Sequence, residues 1–213
     1  MIKENILKIN NELKEYQTKL ICVSKTRTYE EIMDAYNAGC RDFGENHVQE
    51  LIDKRNILPK DIRWHMIGHL QTNKVKDLLK EKVFLIHSVD SIKLASEISK
   101  RAIETQDILL EVNIAKEESK YGFMPDLDIL KDIVSEINKL NNINIIGLMC
   151  VAPNTTNPEE NTKYFNLLKD LAKSLKLDVL SMGMTNDYIY AAKCGSTYIR
   201  VGTGIFGQRD YTK

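Results

Sequence analysis

The sequence lacks a charge excess of either sign, a long apolar run, and any close pair of cysteines. Thirty lysines and arginines balance thirty aspartates and glutamates. No global field therefore draws nucleic acid or an anionic membrane, and a small molecule is the expected partner. No apolar run reaches the roughly 20 residues of a membrane span. The opening stretch, MIKENILKINNELKEYQTK, is polar, with Ile2, Ile6, Ile9 and Leu13 at helical spacing, and holds no signal-peptide core. Cys22, Cys40, Cys150 and Cys194 are far apart and form no CxxC. That pattern speaks against a disulfide framework or a zinc site and for a cytoplasmic protein. No GxGxxG follows the first apolar run, which counts against a dinucleotide-binding sheet.

What is present is a regular alternation. Hydrophobic residues make up 43% of the chain, enough for a sizeable core. Residues 19–25, KLICVSK, are four apolar residues running into a lysine, the pattern of a buried parallel strand. Further strand-like runs fall at 41–46, 63–68, 82–89, 107–114, 142–152, 178–184 and 197–202. Helical stretches separate them. Thr28, then Thr72 or Asn73, then Asp90 or Ser91, then Asn186 or Asp187 are placed to open helices, and Pro125 and Pro158 to sit in first turns. Eight strands alternating with helices predict a single (β/α)8 TIM barrel over residues 1–213, with an extra N-terminal helix. A doubly wound open sheet is the structural alternative.

In such a barrel, ligands sit at the carboxyl ends of the strands. Those ends offer an amine (Lys25), a guanidinium (Arg200), amides and glycines, with Glu45 the one carboxylate in reach. SMGMTND at 181–187 and RVGTGIFG at 200–207 each put a glycine, a hydroxyl and a helix start after a strand, which suits phosphate. A lysine amine condenses with an aldehyde to a Schiff base. Pyridoxal phosphate brings an aldehyde and a phosphate together. Arg200 is placed to face its ring nitrogen and, being always charged, to keep that nitrogen unprotonated. Burial and Arg200 are both expected to lower the Lys25 pKa. His65 and His69 lie on a strand end rather than on one helix face, so they are expected to be structural, and no metal site is expected. His47 is expected at the surface or a helix cap, and His87 at the edge of the core.

At these residues the sequence resembles the pyridoxal phosphate homeostasis proteins. The matching segments are VSKTR (23–27), AGCRDFGENHVQE (38–50), RWHMIGHLQTNK (63–74), VNIAKEESKYGF (112–123), IIGLMCVAP (145–153), LSMGMTNDYIYAA (180–192) and GSTYIRVGTGIFGQRDY (195–211). They span nearly the whole chain, in order. The resemblance implies one barrel similar to the N-terminal domain of alanine racemase. It implies pyridoxal 5′-phosphate as cofactor, with Lys25 forming the internal aldimine and Arg200 facing the pyridine nitrogen. Ser181, Gly183, Thr185, Gly202 and Thr203 match segments that hold the phosphate. Asn46 matches the asparagine near the cofactor, and His65 and Met182 also line the site by resemblance. Two positions depart from the family pattern: Thr185 stands where serine is usual, and Cys150 where threonine is commoner.

The function expected is a carrier that holds the cofactor on Lys25 and exchanges it with apo-enzymes or the free pool, not an enzyme. A monomer is expected from the resemblance. The alternative is a racemase-like enzyme using this cofactor. Racemisation wants two bases on opposite faces. In alanine racemase the second base is a tyrosine from a C-terminal β domain, which a chain ending at Lys213 is expected to lack, and nothing aims Tyr211 at the cofactor. A Schiff-base aldolase relying on Glu45 is a third reading.

Overall fold

A computed structural model of the chain describes residues 1–208. Residues 209–213, Tyr211 among them, lie outside the described residues. Helix α1 (Ile2–Glu12) precedes eight strand–helix units. These are β1 (Lys19–Val23) with α2 (Tyr29–Asn37), β2 (Asp42–Glu45) with α3 (Val48–Ile57), β3 (Arg63–Met66) with α4 (Val75–Leu78), and β4 (Leu85–Val89) with α5 (Ile92–Arg101). Then come β5 (Gln106–Val112) with α6 (Leu127–Ile137), β6 (Ile143–Cys150) with α7 (Thr162–Ser174), β7 (Val179–Met184) with α8 (Tyr188–Lys193), and β8 (Tyr198–Val201) with α9 (Thr203–Phe206).

Every strand pairs in parallel with its neighbours in chain order, and β8 closes onto β1 with Lys19 opposite Tyr198 and Cys22 opposite Val201. The sheet is a closed (β/α)8 barrel, so the open-sheet alternative falls. Side chains alternate between two cores, because successive residues of a strand face opposite ways. Ile21, Leu85, Leu109, Met149 and Tyr198 fill the inside of the barrel. Cys22, Phe43, Ile86, Leu110, Leu148 and Ile199 lie instead in the larger core shared with the helices. Each such fully buried aliphatic or aromatic side chain contributes about 1.5–3 kcal/mol.

Local chemistry sets the helix starts. Thr28 and Glu31 form a reciprocal capping box on α2, and the side chains of Ser91 and Asp126 cap α5 and α6. Several expected boundaries move. β1 stops at Val23, because residues 24–26 form a turn in which Thr26 adopts φ 64°. β4 begins at Leu85 rather than 82, with Phe84 turned to solvent. Thr72 and Asn73 do not cap α4; they form a 3-10 turn leading into it. Pro125 precedes the Asp126 cap instead of sitting in the first turn of α6.

Candidate functional site

Lys25 follows β1 by two residues and is half-buried in the turn at 24–26. The backbone on both sides of it is pinned. The buried Ser24 donates its N–H to the Gly44 carbonyl at 3.0 Å and its hydroxyl to Glu45 Oε1 at 2.6 Å. From α3, Lys54 Nζ reaches the Ser24 carbonyl at 2.6 Å, Glu45 Oε1 at 2.8 Å and Glu50 Oε1 at 2.6 Å. Glu50 Oε1 in turn accepts the Thr26 N–H at 2.6 Å. The i, i+4 spacing of Glu50 and Lys54 puts both on one face of α3, turned toward the strand ends.

Glu45 therefore belongs to this clamp. The expectation that it is the acid at the barrel mouth is overturned by alternation. Asp42 bonds to His65 inside the barrel and Gly44 lies against the interior Ile21, so Phe43 and Glu45 face outward, toward α3. Burial pushes the Glu45 carboxyl up to about 7 despite Lys54 and Ser24, and its Oε2 is buried without a hydrogen-bond partner.

Arg200, on β8, is buried inside the barrel. Its Nη1 donates to Ser181 Oγ at 2.5 Å and its Nη2 to the Cys150 carbonyl at 2.8 Å. Burial lowers its pKa from the ordinary arginine value. Below it lies a line of polar side chains. Ser181 Oγ is 2.8 Å from His87 Nδ1, His87 Nε2 is 2.9 Å from His65 Nδ1, and His65 Nε2 is 3.0 Å from Asp42 Oδ1. Asp42 also receives two hydrogen bonds from Arg63, at 2.7 and 2.6 Å. Burial alone would raise the Asp42 carboxyl; Arg63 and His65 outweigh it and hold it down at about 2. Burial pushes both histidines down, below the ordinary imidazole range, His87 the further.

Thr185 and Thr203 meet where β7 and β8 end, with their hydroxyls 3.2 Å apart and the Gly204 N–H 3.4 Å from Thr185 Oγ1. They line a cavity of about 420 Å³ together with Lys120, Pro153 and Asn154. The turn that carries Thr185 is fixed by Asp187, whose Oδ1 accepts the Met184 N–H at 2.7 Å and whose Oδ2 accepts from Asn161 at 2.8 Å. Gly183 makes that turn possible. Its φ is 93°, and a Cβ there would come within 2.5 Å of Ala191.

The other expected residues divide. Gly202 and Thr203 follow β8, beside the Thr185 turn. Ser181 does not join them: it lies four residues back along β7, inside the barrel, engaged with Arg200 and His87. Met182, its neighbour, faces the opposite way into the helix-side core, so its side chain does not line the mouth. His65 is fully buried among Asp42, His87 and Tyr198 rather than at the mouth. His87 is inside the barrel, not at the core edge, and His47 is the exposed residue preceding α3. Asn46 lines a separate cavity of about 540 Å³ with His47, His69, Gln71 and Lys74.

Sequence reasoning passed over Glu111 and Lys120. Glu111 lies two residues beyond the interior Leu109 on β5, and its carboxyl is pushed up to about 7 by burial and by Asp90, against the pull of Arg200. Its signal was an acid in the middle of the run DILLEVNI, between apolar residues. Lys120 comes from the loop after β5, and only its place in the family segment at 112–123 marked it.

Residues 1–210 match the family described as alanine racemase, N-terminal domain. The pyridoxal phosphate homeostasis protein of Aquifex aeolicus (strain VF5) is 44% identical over 203 residues, covering 91% of this chain and 88% of the relative. The chain belongs to the pyridoxal phosphate homeostasis protein family. A solved structure of similar size is that of PipY of Synechococcus elongatus PCC7942, determined without PLP and with PLP bound. PipY is 34% identical, and the two structures match with TM-scores of 0.88 and 0.84 over 97% of this chain and 100% of PipY. Alanine racemase of Clostridium difficile 630 shares the fold at 18% identity, with a TM-score of 0.81 over 99% of this chain and 57% of the racemase. Among the described residues, no helix is long and apolar enough to cross a membrane.

Proposed function

We propose that this chain binds pyridoxal 5′-phosphate, holds it reversibly as a Schiff base on Lys25, and serves intracellular homeostasis of vitamin B6 without turning over a substrate of its own. The observation that carries this reading is Arg200. A buried guanidinium, anchored through two of its nitrogens, stands in the strand beside the one that leads to Lys25. Such a cation suits a ring nitrogen that stays unprotonated, and that withholds the electron sink most chemistry of this cofactor needs.

The remaining donors fit the rest of the cofactor. Thr185 and Thr203 offer paired hydroxyls to a phosphate, with Lys120 on the same cavity. Gly183 and Gly202 shape the backbone beneath them, and Ser181 acts through Arg200. The clamp of Ser24, Glu45, Glu50 and Lys54 fixes the backbone on both sides of Lys25, so only the side chain remains to be ordered when its amine meets the aldehyde. A reversible imine suits delivery to apo-enzymes, the partners proposed here, by a monomer in the cytoplasm.

The test is an absorption spectrum of the full chain with pyridoxal 5′-phosphate, then borohydride reduction and peptide mapping. The expected result is a visible band and a label on Lys25, both lost in Lys25→Ala. A label spread over surface lysines overturns the reading.

A racemase-like enzyme is the second reading, and Glu111 is the observation that favours it. A carboxyl held at about 7 and influenced by Arg200 has the pKa of a general base at neutral pH. Exchange of the α-proton of alanine in deuterated buffer decides between the two: exchange at catalytic rates would replace the carrier reading with this one.

A further inference from the structure

The hydrogen-bonded line under Arg200 has only one consistent direction. Asp42 is ionised, so it accepts from His65, and the proton on that ring sits on Nε2. A neutral His65 then presents a bare Nδ1, which accepts from His87 Nε2. A neutral His87 presents a bare Nδ1, which accepts the Ser181 hydroxyl proton. The Ser181 oxygen is left with its lone pairs turned to Arg200 Nη1. Each donor meets one acceptor. The reverse direction needs a cationic His65, drives two N–H groups into the Ser181 oxygen and leaves the serine proton unmatched. In a low-dielectric interior, a fully matched chain of this kind is rigid and a mismatched one is costly.

With Arg200 at its end, the line runs through five strands. Asp42 is on β2, His65 on β3, His87 on β4, Ser181 on β7 and Arg200 on the neighbouring β8. Tyr198 packs edge-on to both imidazoles, at 5.4 and 6.0 Å between ring centres. Burial lowers the pKa of both histidines, in keeping with two neutral rings.

We infer that Asp42, His65, His87 and Ser181 form a one-way hydrogen-bond relay that aims the Arg200 guanidinium at the ring nitrogen of the bound ligand, with His65 and His87 as positioning residues remote from the mouth. The inference about the ligand rests on the pyridoxal phosphate reading above; the relay itself does not. The carboxylate of Asp42 sets the tautomer of His65, that tautomer sets the tautomer of His87, and His87 sets the rotor of Ser181. Arg200 is then held at Nη1 by an oxygen that cannot turn away and at Nη2 by the Cys150 carbonyl.

Two measurements test this. The first is ¹⁵N NMR of the histidine-labelled full chain without ligand. Both His65 and His87 are expected as the single Nε2–H tautomer at neutral pH, and the His87 Nδ1 resonance moves in Ser181→Ala. Averaged tautomers, or a proton on His87 Nδ1, overturn the relay. The second is titration with pyridoxal 5′-phosphate of Ser181→Ala and His87→Phe, each shown folded by near-UV circular dichroism. A lost hydrogen bond to a charged group predicts affinity weaker by about tenfold or more, with borohydride still labelling Lys25. Unchanged affinity in folded Ser181→Ala overturns the positioning role. If the wild-type chain gives no Lys25 label, the functional reading fails, and the NMR result alone decides whether the relay stands.

Discussion

Lys54 Nζ lies 2.6 Å from the carbonyl oxygen of Ser24, the residue immediately before Lys25. A buried ammonium from a helix thus holds the backbone of the residue next to the proposed reactive amine. It also neutralises two carboxylates, Glu45 and Glu50. Removing it strands both acids and one carbonyl.

Lys54→Met should therefore destabilise the fold by about 3 kcal/mol, the usual cost of breaking a buried pair from one side. The cost should be smaller at pH 5.5 than at pH 8, because Glu45, already at about 7, takes up a proton when its partner is gone. Urea midpoints at the two pH values check both points. An equal cost at each would show that Glu45 is not the acid left stranded.

Glu111 gives a pH dependence of known sign. Its folded value, about 7, is above the ordinary 4.5. Its favourable contribution is full below about 4.5 and is lost as the pH rises through 7. Glu111→Gln should remove that slope and leave the variant more stable than the parent at pH 8, by on the order of 1 kcal/mol. Parallel denaturation series at pH 5 and pH 8 isolate it, since Glu45 contributes equally to both chains.

The paired hydroxyls of Thr185 and Thr203 set a ligand prediction. Thr185→Ser should keep affinity for pyridoxal 5′-phosphate within about twofold, because the hydroxyl is retained. Thr185→Ala should weaken it by about tenfold, the worth of one hydrogen bond to a charged phosphate. Fluorescence titration distinguishes the two. Equal affinities in the serine and alanine variants would remove Thr185 from the phosphate site.

Gly183→Ala is expected to cost about 2–4 kcal/mol. It combines a disfavoured positive φ with a Cβ 2.5 Å from that of Ala191. The midpoint of thermal unfolding reads it directly. Gly195→Ala has a similar φ of 94° but only a flexible lysine side chain nearby, so it should cost less.

The barrel was legible because its signal is repetitive: short apolar runs, helix starts and turns recur eight times, and a boundary error of two residues does not change the count. The places of Lys25, Arg200, Thr185 and Thr203 in the barrel, as distinct from their roles, were legible for a related reason, since a strand end already fixes where a residue lies. Facing was harder to read. Ser181 and Met182 are adjacent, yet one points to Arg200 and the other to the helices, and only the register of β7 against β8 decides which. The same parity sends Glu45 outward. His87 gave no local signal, because its partners, His65 and Ser181, lie 22 and 94 residues away in the chain. Glu111 was hidden by extending its strand to 114; with β5 ending at Val112, the acid stands one residue from the strand end.

The seam between β1 and β8 has a consequence for how the molecule comes into being. The strand leading to Lys25 is the first to be synthesised and the strand bearing Arg200 is the last, and the two meet only when the ring shuts. Contacts so distant in sequence form late and slowly. A ligand held from both sides of that seam binds the finished protein and not the growing or unfolded chain, so it draws the folding equilibrium toward closure in proportion to its concentration. On the proposed reading, the abundance of folded copies would then rise and fall with the concentration of pyridoxal 5′-phosphate.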